Sequence, residues 1–155
     1  MPFQLSWPVA IAMFAFIAFS VVVGSVLAGA GGWRSLARRY PARSGADPGQ
    51  ERFRFSSMRT SGGIVGTAGY GSCVTIGVGP RGIAVELWKP FALFHPPFHL
   101  PWEAVERCRV VEWPSGSLTQ LGIRDGGTIT VAGRAGGAIA REAAERGLTF
   151  TTDSW

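Results

Sequence analysis

The sequence predicts an N-terminal transmembrane α-helix followed by a mainly-β (α+β) domain, a strongly bent sheet or partial barrel of about six or seven strands with one C-terminal helix. Three observations predict it. Residues 1–33 hold no Asp, Glu, Lys, Arg or His, and at about 1.5 Å of rise per residue roughly 20 such residues cross a ~30 Å hydrocarbon core. From Glu51 onward the chain breaks into short apolar/polar alternations separated by glycine-rich turns, which is the pattern of short strands. Near the end, Ala135–Arg146 places Ala138, Ile139 and Ala143 on one helical face. The 155 residues divide accordingly into a short flank (1–7), the span (8–31), a basic amphipathic juxtamembrane helix (32–41), a linker (42–50) and one β domain with its C-terminal helix (51–155), the last of ordinary single-domain size.

The span has a rival reading as a secretory signal, with Ala28-Gly-Ala30 as the cleavage site. Against that reading, the first seven residues carry no basic side chain and the apolar run exceeds an ordinary h-region. Arg34, Arg38, Arg39 and Arg43 follow the span with no cation before it. The positive-inside rule then sets the N-terminus outside and the C-terminal domain in the cytoplasm. Trp7 and Trp33 bracket the span at the depth of aromatic belts, and Tyr40 joins them as a membrane-interface anchor. Gly24 and Gly29 are five apart, one more than the spacing of the helix-dimer motif, so homo-oligomerisation through this helix is weakly supported.

Trp33, Leu36, Ala37 and Tyr40 lie at i, i+3, i+4 and i+7, one face of a helix that Pro41 ends. Two readings stay open. The helix lies in the headgroup plane, with Arg34, Arg38, Arg39 and Arg43 as candidate contacts to anionic lipid headgroups at roughly 1 kcal/mol each, or its aromatic face packs on the domain. The net charge of +5 concentrates between Arg34 and Arg59, so the partners expected are the lipid bilayer or an unknown protein, and no nucleic acid.

Within the β domain, Arg52–Arg59 alternates with Phe53 and Phe55 on one face and Arg52 and Arg54 on the other. Gly62–Gly71 is glycine-rich around Ile64-Val65. Cys73–Val78 and Ile83–Trp88 form a hairpin about Gly79-Pro-Arg-Gly82. Val105–Trp113 follows, with Val105, Arg107, Arg109 and Val111 on one face. Leu118–Arg124 and Thr128–Val131 are joined by Asp125-Gly-Gly127. In the last helix Arg141–Glu145 and Glu142–Arg146 stand at i, i+4, and Gly147 caps it.

Both histidines fall in Phe94-His-Pro-Pro-Phe-His-Leu-Pro-Trp102. Pro96, Pro97 and Pro101 forbid the helix on which a four-residue His spacing chelates, and zinc needs three or four ligands. No metal, cofactor or catalytic residue is therefore expected. The segment reads as a stiff extended connection, with His95, His99 and Trp102 as a candidate interaction loop and the two histidines half exposed. Cys73 and Cys108 lack CxxC spacing; reduced, they act as small apolar residues.

Gly32-Trp33, Leu36-Ala37 and Tyr40-Pro41, the strand pair Val74–Val78 with Gly82-Ile83, and Phe94-His-Pro-Pro97 with Pro101-Trp102 resemble a group of small bacterial single-pass membrane proteins. The order strand, glycine turn, strand, then Pro-Trp before a further strand is similar to bacterial PH-like and GRAM-like domains over residues 32–113. The resemblance implies a bent sheet closed by the C-terminal helix, in a protein of the bacterial inner (cytoplasmic) membrane. Phosphoinositide-binding PH domains use a basic cluster in an early hairpin loop, whereas Gly77-Val-Gly-Pro-Arg81 supplies one Arg.

The function expected is a membrane-anchored, non-enzymatic domain mediating protein–protein or inner-membrane-surface interaction. The alternatives are an envelope-associated enzyme or enzyme subunit using His95, His99, Glu103 and Glu106 as acid–base groups, and a periplasmic structural module stapled by Cys73–Cys108.

Overall fold

The computed structural model describes residues 7–42, 49–63, 66–89, 92–113, 116–124 and 126–154. Its centre is one eight-stranded sheet in the order β4-β3-β2-β1-β7-β6-β5-β8, made of β1 (Glu51–Gly63), β2 (Gly66–Gly79), β3 (Gly82–Leu87), β4 (Phe98–Pro101), β5 (Val105–Trp113), β6 (Gly116–Ile123), β7 (Thr128–Ala132) and β8 (Thr149–Ser154). Seven strands run antiparallel and curl into a half-barrel, and β8 joins β5 in parallel at one end. Before the sheet come α1 (Trp7–Ala30) and α2 (Trp33–Arg39); α3 (Gly133–Glu145) lies between β7 and β8.

The strand that makes the curl is β1. Among the described residues its first part pairs only with β2, from Glu51↔Val78 to Ser56↔Val74, while Met58–Ser61 pairs with both β2 and β7. The register shifts twice in between, and Phe55 (φ 56) and Ser72 (φ 50) enter the left-handed region. A bulge adds a residue to one strand, breaks the ladder locally and sharpens the twist, so β1 leaves β7 and continues with β2 alone. The expected alternation of Phe53 and Phe55 on one face is corrected here: Phe53 is half-buried, but the bulge turns Phe55 outward, 67% exposed. A second bulge, between Val105 and Arg107, corrects the face assigned to β5. It turns Val105, Cys108 and Val110 inward and leaves Arg107 and Arg109 in solvent, because one inserted residue flips the side-chain parity of all that follow.

Two helices fill the concave side from opposite ends. Ala135, Ala138, Ile139 and Ala143 of α3 join the core with strand residues such as Ile76, Leu121 and Val131. Gly136 permits the close approach: a Cβ there would stand 2.6 Å from the Val131 carbonyl oxygen. At the other end Trp33, Leu36 and Ala37 of α2 are buried in the same core. The segment after α2 then covers the β4 edge, with His99 N–H donating to the Tyr40 carbonyl at 2.9 Å and Pro41 bridging Phe98. The β4 end of the sheet is thereby shielded from edge-to-edge pairing.

The expected transmembrane helix is corrected. Among the described residues no helix is long and apolar enough to cross a membrane. The single-pass inner-membrane placement and its orientation rested on that span and are withdrawn with it. The C-terminal helix is also not the last element, since β8 follows it. The Gly62–Gly71 stretch continues the β1–β2 hairpin, while Ile64 and Val65 lie outside the described residues.

Candidate functional site

The residues singled out from sequence divide between core and surface. Trp33, expected at a membrane interface, is fully buried: its indole N–H donates to the Pro96 carbonyl at 2.9 Å, and its ring meets Tyr70, His95 and Phe98 edge-on at centroid distances of 5.0, 5.2 and 5.1 Å. Tyr40 packs against the core, half-buried, while Trp7 is exposed at the start of α1. Arg38 and Arg39 are exposed and Arg34 half-exposed on α2; Arg43 lies outside the described residues.

The expected interaction loop is corrected as well. His95, His99 and Trp102 are 4, 7 and 5% exposed, a structural seam rather than a surface. Trp102 donates its indole N–H to the Gly79 carbonyl at 2.9 Å beneath the Arg146 guanidinium, 5.0 Å from the ring centroid. His95 stacks edge-on against Tyr70 at 5.4 Å. The acid–base set proposed for an enzyme does not converge, since both histidines are buried and Glu103 and Glu106 are exposed. Cys73 and Cys108 are free thiols, which removes the staple from the periplasmic alternative. Burial pushes the Cys108 thiol up to about 11 and also raises that of Cys73, so neither is an activated nucleophile.

What sequence reasoning missed is a cleft that the β1 bulge creates. Where β1 parts from β7, a hollow of about 460 Å³ opens between residues 51–57 and the first turn of α3, lined by Arg54, Phe55, Ser56, Gly133 and Arg134 among others. A second hollow of about 270 Å³ meets it at Ser57 and Ala132 and runs across the outer face past Arg59, Gly69, Gly71 and Thr130. Gly69 and Gly71 leave the floor open, with nothing within 4 Å of where their Cβ atoms would be.

Charge along this cleft is uneven. Arg52 pairs with Glu86 at 2.9 Å and Arg141 with Glu51 at 3.1 Å. Arg54, Arg59 and Arg134 are exposed and have no carboxylate within ion-pair range among the described residues. Alternating Arg and Phe at 52–55 was visible in sequence; the bulge that aims Phe55 outward and the return of Arg134 beside it were not.

The other exposed feature is α1. Trp7, Phe14, Phe16 and Phe19 are among its large apolar side chains in solvent, and the helix has no charged residue. The sequence matches no protein-family model and no curated protein.

Proposed function

We propose that this protein is a non-enzymatic interaction module of PH-like architecture that docks onto a partner protein. The strand order β4-β3-β2-β1-β7-β6-β5 with a helix packed into the open face after β7 supports the PH-like reading, which rests on architecture and therefore does not itself name a function.

The observation that carries the interaction role is α1. Phe14, Phe16 and Phe19 are 74, 71 and 68% exposed, beside Ile11, Met13 and Ile17. Contiguous apolar surface of this kind marks a site of macromolecular contact, and a helix apolar on every side needs covering on more than one. Among the described residues α1 meets α2, β2 and the short turn Ala92–Phe94.

The test is a photo-cross-linking amino acid at Phe16 or Phe19 of the full chain in its native cell. Discrete protein adducts at both positions are expected, absent when the probe replaces the exposed Glu106. Adducts extractable with organic solvent as lipid, with no protein adduct, overturn the protein-docking reading.

A further inference from the structure

We infer that the cleft between the bulged half of β1 and the start of α3 is the docking site for an extended acidic segment of a partner protein carrying an apolar side chain beside Phe55. The inference rests on the reading of the chain as a protein-interaction module and adds the chemistry of the partner. Three observations carry it.

First, Arg54 and Arg134 line the larger hollow and Arg59 the smaller one, which shares Ser57 and Ala132 with it, and none of the three has a carboxylate within ion-pair range among the described residues. Guanidinium groups take carboxylates in bidentate geometry, and three of them along a groove select a chain of spaced negative charges. Second, Phe55 holds a left-handed backbone, φ 56, and is 67% exposed in the same lining as Arg54 and Arg134. A non-glycine residue in that region is uncommon and costs of order 1–3 kcal/mol, which points toward a functional position. The ring it presents offers an apolar anchor in the middle of a basic groove. Third, between Glu51 and Ser57 no described strand pairs with the second edge of β1, so an extended backbone lies along a strand edge there, as in other peptide-binding sheets.

The same details disfavour a nucleic acid. Glu51 lines the larger hollow, tied to Arg141, and Glu86 is tied to Arg52 of the same lining; both would repel an unbroken phosphate backbone. A polypeptide can place its carboxylates opposite Arg54, Arg59 and Arg134 and its apolar side chains opposite Phe55.

The experiment measures fluorescence anisotropy of the full chain with a labelled peptide of alternating Glu and Leu, eight residues long. A Lys/Leu peptide and an oligothymidine of equal length serve as controls. The wild type is expected to bind the acidic peptide, more weakly as salt rises. The triple variant Arg54→Ser/Arg59→Ser/Arg134→Ser is expected to lose about tenfold in affinity or more, since each exposed ion pair contributes modestly. A triple variant of equal charge, Arg34→Ser/Arg38→Ser/Arg124→Ser, stays within about twofold, and Phe55→Ser loses affinity without any change of charge; far-UV circular dichroism checks that all are folded. No binding by the wild type, equal losses in the two triples, or equal affinity for oligothymidine each overturn the acidic-segment site. Protein adducts from α1 would still stand in those cases, so failure of this site and failure of the interaction reading are separable.

Discussion

Trp33 donates its indole N–H to the carbonyl of Pro96 at 2.9 Å, across 63 residues of sequence. The bond ties α2, which precedes the sheet, to the proline-rich connection before β4, and the ring fills the space between Tyr70, His95 and Phe98. Trp33 is thus a keystone of the core. Trp33→Ala should destabilise the fold by about 3–5 kcal/mol, the range for emptying a large aromatic site. Trp33→Phe keeps most of the apolar volume but leaves the Pro96 carbonyl without its donor, at about 1–3 kcal/mol. Urea denaturation of both variants reads the difference; a loss under 1 kcal/mol for Trp33→Ala would show that α2 is not integral to the domain.

A pair of glycines tests the packing of the sheet. Gly82 (φ 145) opens β3 where a Cβ would come within 2.2 Å of the Leu100 carbonyl oxygen and 2.9 Å of the Pro101 Cα. Both are backbone atoms and cannot step aside, so Gly82→Ala should cost more than about 3 kcal/mol through combined clash and strain. Gly69, in β2, has open space on its side-chain face and an ordinary φ. Gly69→Ala should be neutral or stabilise by about 0.5 kcal/mol, because glycine in a strand interior loses more backbone entropy on folding. Thermal melts of the two variants side by side check the contrast.

These two tests bear on what sequence patterns can and cannot convey. The β2–β3 hairpin and α3 with its Gly147 cap (φ 65) were legible, because alternation, helical spacing and a terminal glycine are local signals. The α2 stripe was legible as well, though not whether it faced lipid or core; its burial is decided by Pro96 and Phe98, more than 60 residues away. The bulges in β1 and β5 were invisible, and each reversed the facing of the residues beyond it. β8 escaped notice because Thr149–Ser154 has little apolar alternation and gains its place by pairing with β5. Of the candidate cleft, the arginines and Phe55 were on view in the sequence. Their convergence depends on where β1 leaves β7, which is a tertiary event.

Thiol chemistry should separate the two cysteines. Cys108 is 1% exposed and its thiol is raised to about 11 by burial, while Cys73 is half-buried and also raised. Only the thiolate attacks an alkylating reagent, and near pH 8 about one in a thousand Cys108 side chains is ionised even before access is considered. Iodoacetamide at pH 8 should therefore modify Cys73 slowly and Cys108 only under denaturing conditions, as mass spectrometry of the peptides would show. Prompt modification of Cys108 in the folded protein would contradict its placement under the sheet.

Stability should also fall in alkali for reasons that two residues share. Burial raises the Tyr70 phenol from 10.0 to about 12, with the Thr60 side chain acting in the opposite direction, and raises the Cys108 thiol from 9.0 to about 11. In both groups the folded state holds its proton to higher pH than the unfolded chain does. Between the two pKa values the native state therefore binds more protons than the unfolded state, and the unfolding free energy falls as pH rises. The contribution of Cys108 is fully present below pH 9 and lost by about 11; that of Tyr70 is present below pH 10 and lost by about 12. At about 1.4 kcal/mol per unit, each window amounts to roughly 2–3 kcal/mol. Urea midpoints measured from pH 8 to 11.5 should decline, most steeply between 10 and 11 where the windows overlap. Tyr70→Phe should flatten the slope above pH 10 and leave the slope from 9 to 10 unchanged, whereas Cys108→Ala should do the reverse at the low end. A Tyr70→Phe profile parallel to the wild type above pH 10 would mean that the phenol titrates alike in the folded and unfolded states, and that its burial beside Trp33 and His95 is not maintained in solution.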